Sequence, residues 1–214
     1  MKRNIDAVIF DADGTILDTR ELIFQAMQHV LHEHGYDMPE RSALVAFGGR
    51  PTEETYAHFA PHHDSAQLSL KQRIFQMEHL DLFAAYEGLE ELLAQLKQMG
   101  CKIGICTSRR KNIIDFLEHL DIKHHFDAIM HADLVTNYKP HPEGLLKLLQ
   151  QMQVEPSRAV MVGDTDADIG AGKAAGVAFT IGITHGIGTR EMLEESGADH
   201  IVDHLNDILP LLAH

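Results

Sequence analysis

From residue 86 onward, short apolar runs alternate with amphipathic stretches, and this alternation leaves the chain very few architectures. Ile103-Gly104-Ile105-Cys106, Ala128-Ile129-Met130, Ala159-Val160-Met161-Val162, Val177-Ala178-Phe179-Thr180-Ile181 and Ile201-Val202 read as buried strands. Between them lie helical patterns: Leu89, Leu92, Leu93 and Leu96 ending at Gly100, then Asn112 to Leu120, Pro142 to Met152, Ile169 to Ala175 and Arg190 to Glu195. Ala7-Val8-Ile9-Phe10 adds a strand at the start. Strands alternating with helices predict an α/β domain, a parallel sheet covered on both faces.

Residues 16–84 break this order. Leu22, Ile23, Ala26, Met27, Val30 and Leu31 repeat at helical spacing up to Gly35, and Pro39 is placed to open a short second helix. Pro51 starts a third helix running to about Ala60, and Asp64 caps a fourth that carries Leu68, Ile74 and Phe75. The stretch is expected to be all helix and turn, an inserted domain at 16–84 with the core at 1–15 and 85–214.

Asp11-Ala12-Asp13-Gly14-Thr15 directly follows the first strand. Residues two apart in extended chain point to one side, so both carboxylates can converge while Gly14 lets the backbone turn beside them. Two like charges that close repel by a few kcal/mol at an effective dielectric of about 20. A cation is expected between them, or a proton on one, and Mg²⁺ suits a cluster of hard carboxylate oxygens beside a phosphate.

In an open parallel sheet, ligands bind at the carboxyl ends of the strands. The sequence puts Asp11 and Asp13, Thr107, Lys139, and Asp164 with Asp168 at such ends. Each also has an ordinary structural use. Thr107-Ser108 and the two later aspartates could cap helices, Lys139 before Pro140 could mark a surface turn, and Arg50 in Gly48-Gly49-Arg50-Pro51 could be a solvated loop cation.

Charge and composition exclude other classes. Eighteen basic against thirty-two acidic residues give a net charge of −14, which repels nucleic-acid backbones and anionic membranes. No apolar run approaches the roughly 20 residues that span a bilayer. Met1-Lys2-Arg3 leads into a strand rather than a signal-peptide core, so a cytoplasmic protein is expected. Cys101 and Cys106 sit at opposite ends of one strand, roughly 16 Å apart, too far to pair. The sixteen histidines show no metalloprotease spacing and read as surface groups that change the net charge near pH 6.

Taken together, Asp11-Ala12-Asp13-Gly14-Thr15, Thr107-Ser108, Lys139-Pro140 and Gly163-Asp164-Thr165-Asp166-Ala167-Asp168 resemble the ordered motifs of the haloacid dehalogenase superfamily, in its capped phosphatase branch. The resemblance covers essentially the whole chain. It implies a Rossmann-like doubly wound parallel sheet with an inserted helical-bundle cap, acting on a small phosphorylated substrate as a monomer or homodimer. Asp11 would be the nucleophile, and Asp13 the acid and base. Gly14, Thr107, Ser108 and Lys139 would hold the phosphoryl group, and Arg50 of the cap would touch the substrate. Mg²⁺ would be bound by Asp11, the Asp13 carbonyl and Asp164, with Asp168 supporting the site. Asp13 favours phosphate esters over halides. Tyr86-Glu87-Gly88-Leu89 and Thr184-His185-Gly186-Ile187-Gly188 look most like phosphoglycolate phosphatases and their pyrophosphatase relatives. Sugar-phosphate phosphatases and β-phosphoglucomutase-like enzymes stay open, although Gly163-Asp164-Thr165 lacks the adjacent acids usual in the mutases. A phospho-accepting signalling domain is the non-enzyme alternative; a catalytically silent scaffold is disfavoured because no motif residue is missing.

Overall fold

The computed structural model describes residues 5–45, 47 and 49–212. Met1-Lys2-Arg3 and Gly48, which entered the sequence reading, lie outside the described residues. Six strands form one parallel sheet: β1 (Ala7–Phe10), β4 (Lys102–Cys106), β5 (Ala128–Met130), β6 (Ala159–Gly163), β7 (Phe179–Ile183) and β8 (His200–Val202), in the order β5-β4-β1-β6-β7-β8. β1 lies between β4 and β6, with Ile9 opposite Gly104 on one side and Met161 on the other. The chain therefore builds outward from β1 first one way and then the other, which opens a crevice at the carboxyl end of β1.

Alternation along β1 feeds two cores. Val8 and Phe10 join the cluster under α5 (Leu89–Gln98), α6 (Ile113–His119) and α10 (Ile208–Leu212). Ala7 and Ile9 join the cluster under α7 (Glu143–Met152), which also takes in Ala175 from α8 (Asp166–Ala175). All four side chains are fully buried, as a strand covered on both faces requires. α9 (Arg190–Glu195) completes the core elements, its Leu193 buried against Gly182 of β7.

The interrupting segment holds four helices: α1 (Arg20–Glu33), α2 (Arg41–Val45), α3 (Thr52–Phe59) and α4 (Ser65–Glu78). They enclose their own cluster of Met27, Val30, Leu31, Tyr56, Ala60 and Leu68. The buried Tyr56 hydroxyl donates to Gln72 Oε1 at 2.7 Å. Asp64 caps α4 by accepting from the N–H groups of Ala66 and Gln67.

Several sequence expectations shift. The segment is not all helix and turn: β2 (Leu17–Asp18) and β3 (Ala84–Ala85) pair antiparallel where the chain leaves the core and returns. Ile74 does not enter the helical core but is half exposed, and α2 starts at Arg41 rather than at Pro39. β7 begins two residues later than the apolar run suggests, because Gly176 is left-handed and the Val177 N–H still serves Gly172 at the end of α8. Among the described residues no helix is long and apolar enough to cross a membrane, and both cysteines are free.

Candidate active site

Asp11 leaves the end of β1, its N–H donating to Val162 of β6. The next residues turn at once: Gly14 adopts φ +76°, and a Cβ there would overlap the Asp164 carboxylate. Thr107 follows β4, Lys139 lies in the loop after β5 with a cis bond to Pro140, and Asp164 follows β6. All four functional side chains are buried.

Lys139 ties them together. Its Nζ donates to Asp11 Oδ1 at 2.7 Å, to Asp168 Oδ1 at 2.6 Å and to the Cys106 carbonyl at 3.1 Å. Three acceptors use all three ammonium protons. The surface-turn reading of Lys139 is thus excluded. Asp168 serves two ends: Oδ1 receives Lys139, while Oδ2 accepts from the Thr165 N–H at 3.1 Å and hydroxyl at 2.6 Å, boxing the start of α8. Asp164 accepts from the Thr15 hydroxyl at 3.2 Å and the Ile187 N–H at 2.9 Å. Side chains at Gly186 and Gly188 would collide with Asp164, so the 184–188 loop closes on its back.

Charge in this cluster is unbalanced. Burial pushes the Asp11 carboxyl up to about 7, against the pull of Lys139 and with the help of Asp168. Burial, then Asp168 and Asp11, push Asp164 well above the usual carboxylate range. Lys139 is raised despite its burial, because Asp11 and Asp168 hold its proton. Oxygens of Asp11, Asp164 and Asp168 lie within 4.8 Å of one another, and this is the one His, Cys, Asp or Glu cluster among the described residues that could hold a metal. Three buried carboxylates against one ammonium are a hard, anionic oxygen set that fits Mg²⁺. The histidines among the described residues form no such group.

The Asp11 and Asp13 carboxylates pair with different side-chain cations. Asp13 has its own. Arg109 Nη2 donates to Asp13 Oδ1 at 2.6 Å and Arg109 Nε to Oδ2 at 3.0 Å, while the Thr19 hydroxyl donates to Oδ1 at 2.7 Å. Burial works to raise the Asp13 carboxyl, but Arg109 and Thr19 hold it below its ordinary value. Arg109 also donates to Gln76 of α4 at 2.9 Å. Sequence reading missed Arg109, Thr19, Thr15 and the Ile187 N–H. The one available signal was a basic residue directly after Thr107-Ser108.

Thr107 does not cap the next helix, which begins only at Ile113; its Oγ1 accepts the Arg109 N–H at 3.1 Å. Ser108 reaches the other way and donates to the Gly49 carbonyl. Above the carboxylates lies a cavity of about 330 Å³, walled by the strand ends below and by α1, α3 and α4 above. Asp11, Asp13, Gly14, Thr107 and Ser108 line its floor, and Arg50 stands exposed at its rim. Ile23, Phe24, Met27 and Phe47 give it one apolar wall.

Residues 8–181 match the haloacid dehalogenase-like hydrolase family. The chain is 33% identical over 211 residues to the pyrophosphatase PpaX of Bacillus cereus (strain ATCC 10987 / NRS 248), covering 98% of this chain and 97% of the relative. Among solved structures, a β-phosphoglucomutase of Clostridium difficile superposes with a TM-score of 0.83 at 27% identity, over 95% of this chain and 93% of that one. A predicted phosphoglycolate phosphatase of Haemophilus somnus 129PT shares the fold at a TM-score of 0.88 and 20% identity, over 97% and 98% of the two chains. With the carboxylate cluster at the crevice of a parallel sheet and these relatives over its whole length, the chain belongs to the haloacid dehalogenase-like hydrolases and is an enzyme of their phosphatase type.

Proposed function

We propose that this enzyme hydrolyses a small phosphorylated metabolite through an aspartyl-phosphate on Asp11, with Mg²⁺ as its cofactor. The observation that carries the reading is Lys139, buried and bonded to Asp11 and Asp168 at once, under a cavity whose floor holds Thr107 and Ser108. An Asp11 oxygen attacks phosphorus in line with the leaving oxygen, forming an acyl phosphate as the ester bond breaks. Lys139 neutralises the negative charge that builds on the phosphoryl oxygens, and Thr107 and Ser108 orient them. Asp13, once it has taken up a proton from solvent, gives it to the departing oxygen, then takes one from the water that attacks phosphorus and frees Asp11. Asp11 and Asp164 would hold Mg²⁺ with the Asp13 carbonyl, while Asp168, both of whose oxygens have partners, would steady the site from behind. The ion, when bound, supplies charge neutralisation at the phosphoryl group.

The curated relative named a pyrophosphatase and the structural relatives named for phosphoglycolate and phosphoglucose chemistry support small substrates with a second anionic or polar group. Arg50 at the rim has no ion pair among the described residues and suits such a group. We favour a phosphoglycolate-like monoester, with pyrophosphate as the second candidate on the strength of the 33% relative. The test is phosphate release from phosphoglycolate, pyrophosphate and sugar phosphates, with and without Mg²⁺. Asp11→Asn and EDTA should each abolish release from every substrate; undiminished turnover in either would end the reading.

A further inference from the structure

We infer that Arg109 reads the leaving group: an anionic group on the substrate takes its guanidinium from Asp13 and so frees Asp13 to act. The inference rests on the role proposed for Asp13 above. As the protein stands, both Asp13 oxygens are bonded to Arg109 in a two-pronged pair, and Oδ1 also accepts from Thr19. Three of the four acceptor sites of a carboxylate so engaged are taken, and both of its oxygens are turned to Arg109 and Thr19 rather than to a departing oxygen. The pair must open before Asp13 can work.

The two partners are unequally anchored. Arg109 is held independently of Asp13: Nη1 on Gln76, its plane 4.3 Å over the Phe116 ring, its backbone N–H on Thr107, and its side chain only 6% exposed. Asp13 is 25% exposed at the side chain and borders the cavity just past the Gly14 turn. When the pair opens, Asp13 is the member that moves. Guanidinium binds carboxylate and phosphate through the same two-pronged geometry, so an anion in the leaving group can replace Asp13 on it at little cost. A neutral alkyl group offers no such exchange and leaves Asp13 locked.

Of the other arginines around the cavity, Arg50 at the rim holds no acid among the described residues, and the rest are committed to different acids, Arg73 to Glu53 among them. Arg20 pairs with Asp18, Arg41 with Glu21, and Arg110 with Glu53 and Asp133. None of these acids is a proposed catalytic group. Only at Arg109 does binding of an anion change the freedom of a residue that works on the leaving oxygen.

The experiment compares phosphoglycolate with ethyl phosphate, a two-carbon ester without the carboxylate, in the full-length protein with Mg²⁺. Wild type should favour phosphoglycolate in kcat/KM by about tenfold or more, the size of one charge-assisted pair. Arg109→Gln should collapse that preference to within about threefold, with kcat for ethyl phosphate rising because Asp13 is no longer held and KM for phosphoglycolate rising because its carboxylate has lost its partner. Equal losses on both substrates, or a wild-type preference near one, would overturn the inference. Should Arg109→Gln not fold, Arg109→Lys, which keeps the charge but not the two-pronged geometry, is read against the same two outcomes. If wild type turns over neither ester, or Asp11→Asn still does, the phosphatase reading beneath it fails, a result distinct from an unchanged ratio.

Discussion

Removing the charge of Asp11 should make the metal-free protein more stable, and increasingly so as pH rises. The Asp11 carboxyl is carried from 3.8 to about 7 in the folded site. Between those values the folded state binds a proton that the unfolded state has released, so stability falls as pH increases through the window. At about 1.4 kcal/mol per pH unit, Asp11 costs the fold about 4 kcal/mol over the whole window, of which about 3 kcal/mol accrues between pH 5 and 8. Asp164, raised by burial, Asp168 and Asp11 itself, acts in the same direction. Buried histidines such as His131 and His185, which burial holds below their usual range, titrate nearby with the opposite slope. They cancel in the difference between wild type and Asp11→Asn. Urea unfolding of both proteins in EDTA at pH 5, 6, 7 and 8 should therefore show the variant gaining on wild type by about 3 kcal/mol. Saturating Mg²⁺ should erase or reverse the gap at pH 8, because only wild type keeps all the proposed ligands. A difference that stays flat in EDTA, or wild type gaining on the variant as pH rises, would refute the claim that the empty cluster is over-charged.

Gly186→Ala places a methyl group into Asp164 from behind, where the Thr15 and Ile187 bonds leave the carboxylate nowhere to retreat. Titration calorimetry should show Mg²⁺ affinity down by about tenfold to a hundredfold with the circular dichroism spectrum kept; unchanged affinity would show that the 184–188 loop does not position Asp164. Tyr56→Phe removes the hydroxyl from the buried Gln72 Oε1 and should cost about 1–3 kcal/mol in urea unfolding, with no effect below a few tenths expected only if water replaces the hydroxyl.

How far the sequence carried depends on the range of the interaction. Asp11, Thr107 and Asp164 were legible because each directly follows an apolar run, and a parallel sheet delivers strand ends to one edge whatever the chain does between them. Lys139 was legible only in company with them, since nothing near it in sequence shows that its ammonium lies under β1 and α8. Arg109 was invisible for the opposite reason. It sits in Arg109-Arg110-Lys111, where nothing in the sequence sets one basic residue apart from the next. Tertiary contacts split that run: Arg109 goes to Asp13, Arg110 to Glu53 and Asp133, and the Lys111 N–H to Asp133. β2 and β3 were missed because two residues carry no period. α10 was missed because Pro210 lies within it, although proline in the first turn of a short helix lacks only an N–H that has no partner there anyway.

One loop carries a run of polar contacts between the two halves of the molecule. Thr107 faces the carboxylate floor, and the three residues after it each reach the helical segment: Ser108 to the Gly49 carbonyl, Arg109 to Gln76, Arg110 to Glu53. The antiparallel β2–β3 pair is short, with two residues on each strand, and it is the covalent route between the halves. The position of the helices over the cavity is held by the contacts of residues 108–110 together with Leu22 and Met77 against the core of the sheet and Gly49 beside Thr165. Residues 108–110 follow Thr107 without a break, so the contacts that hold the helical segment begin one residue from the cavity floor.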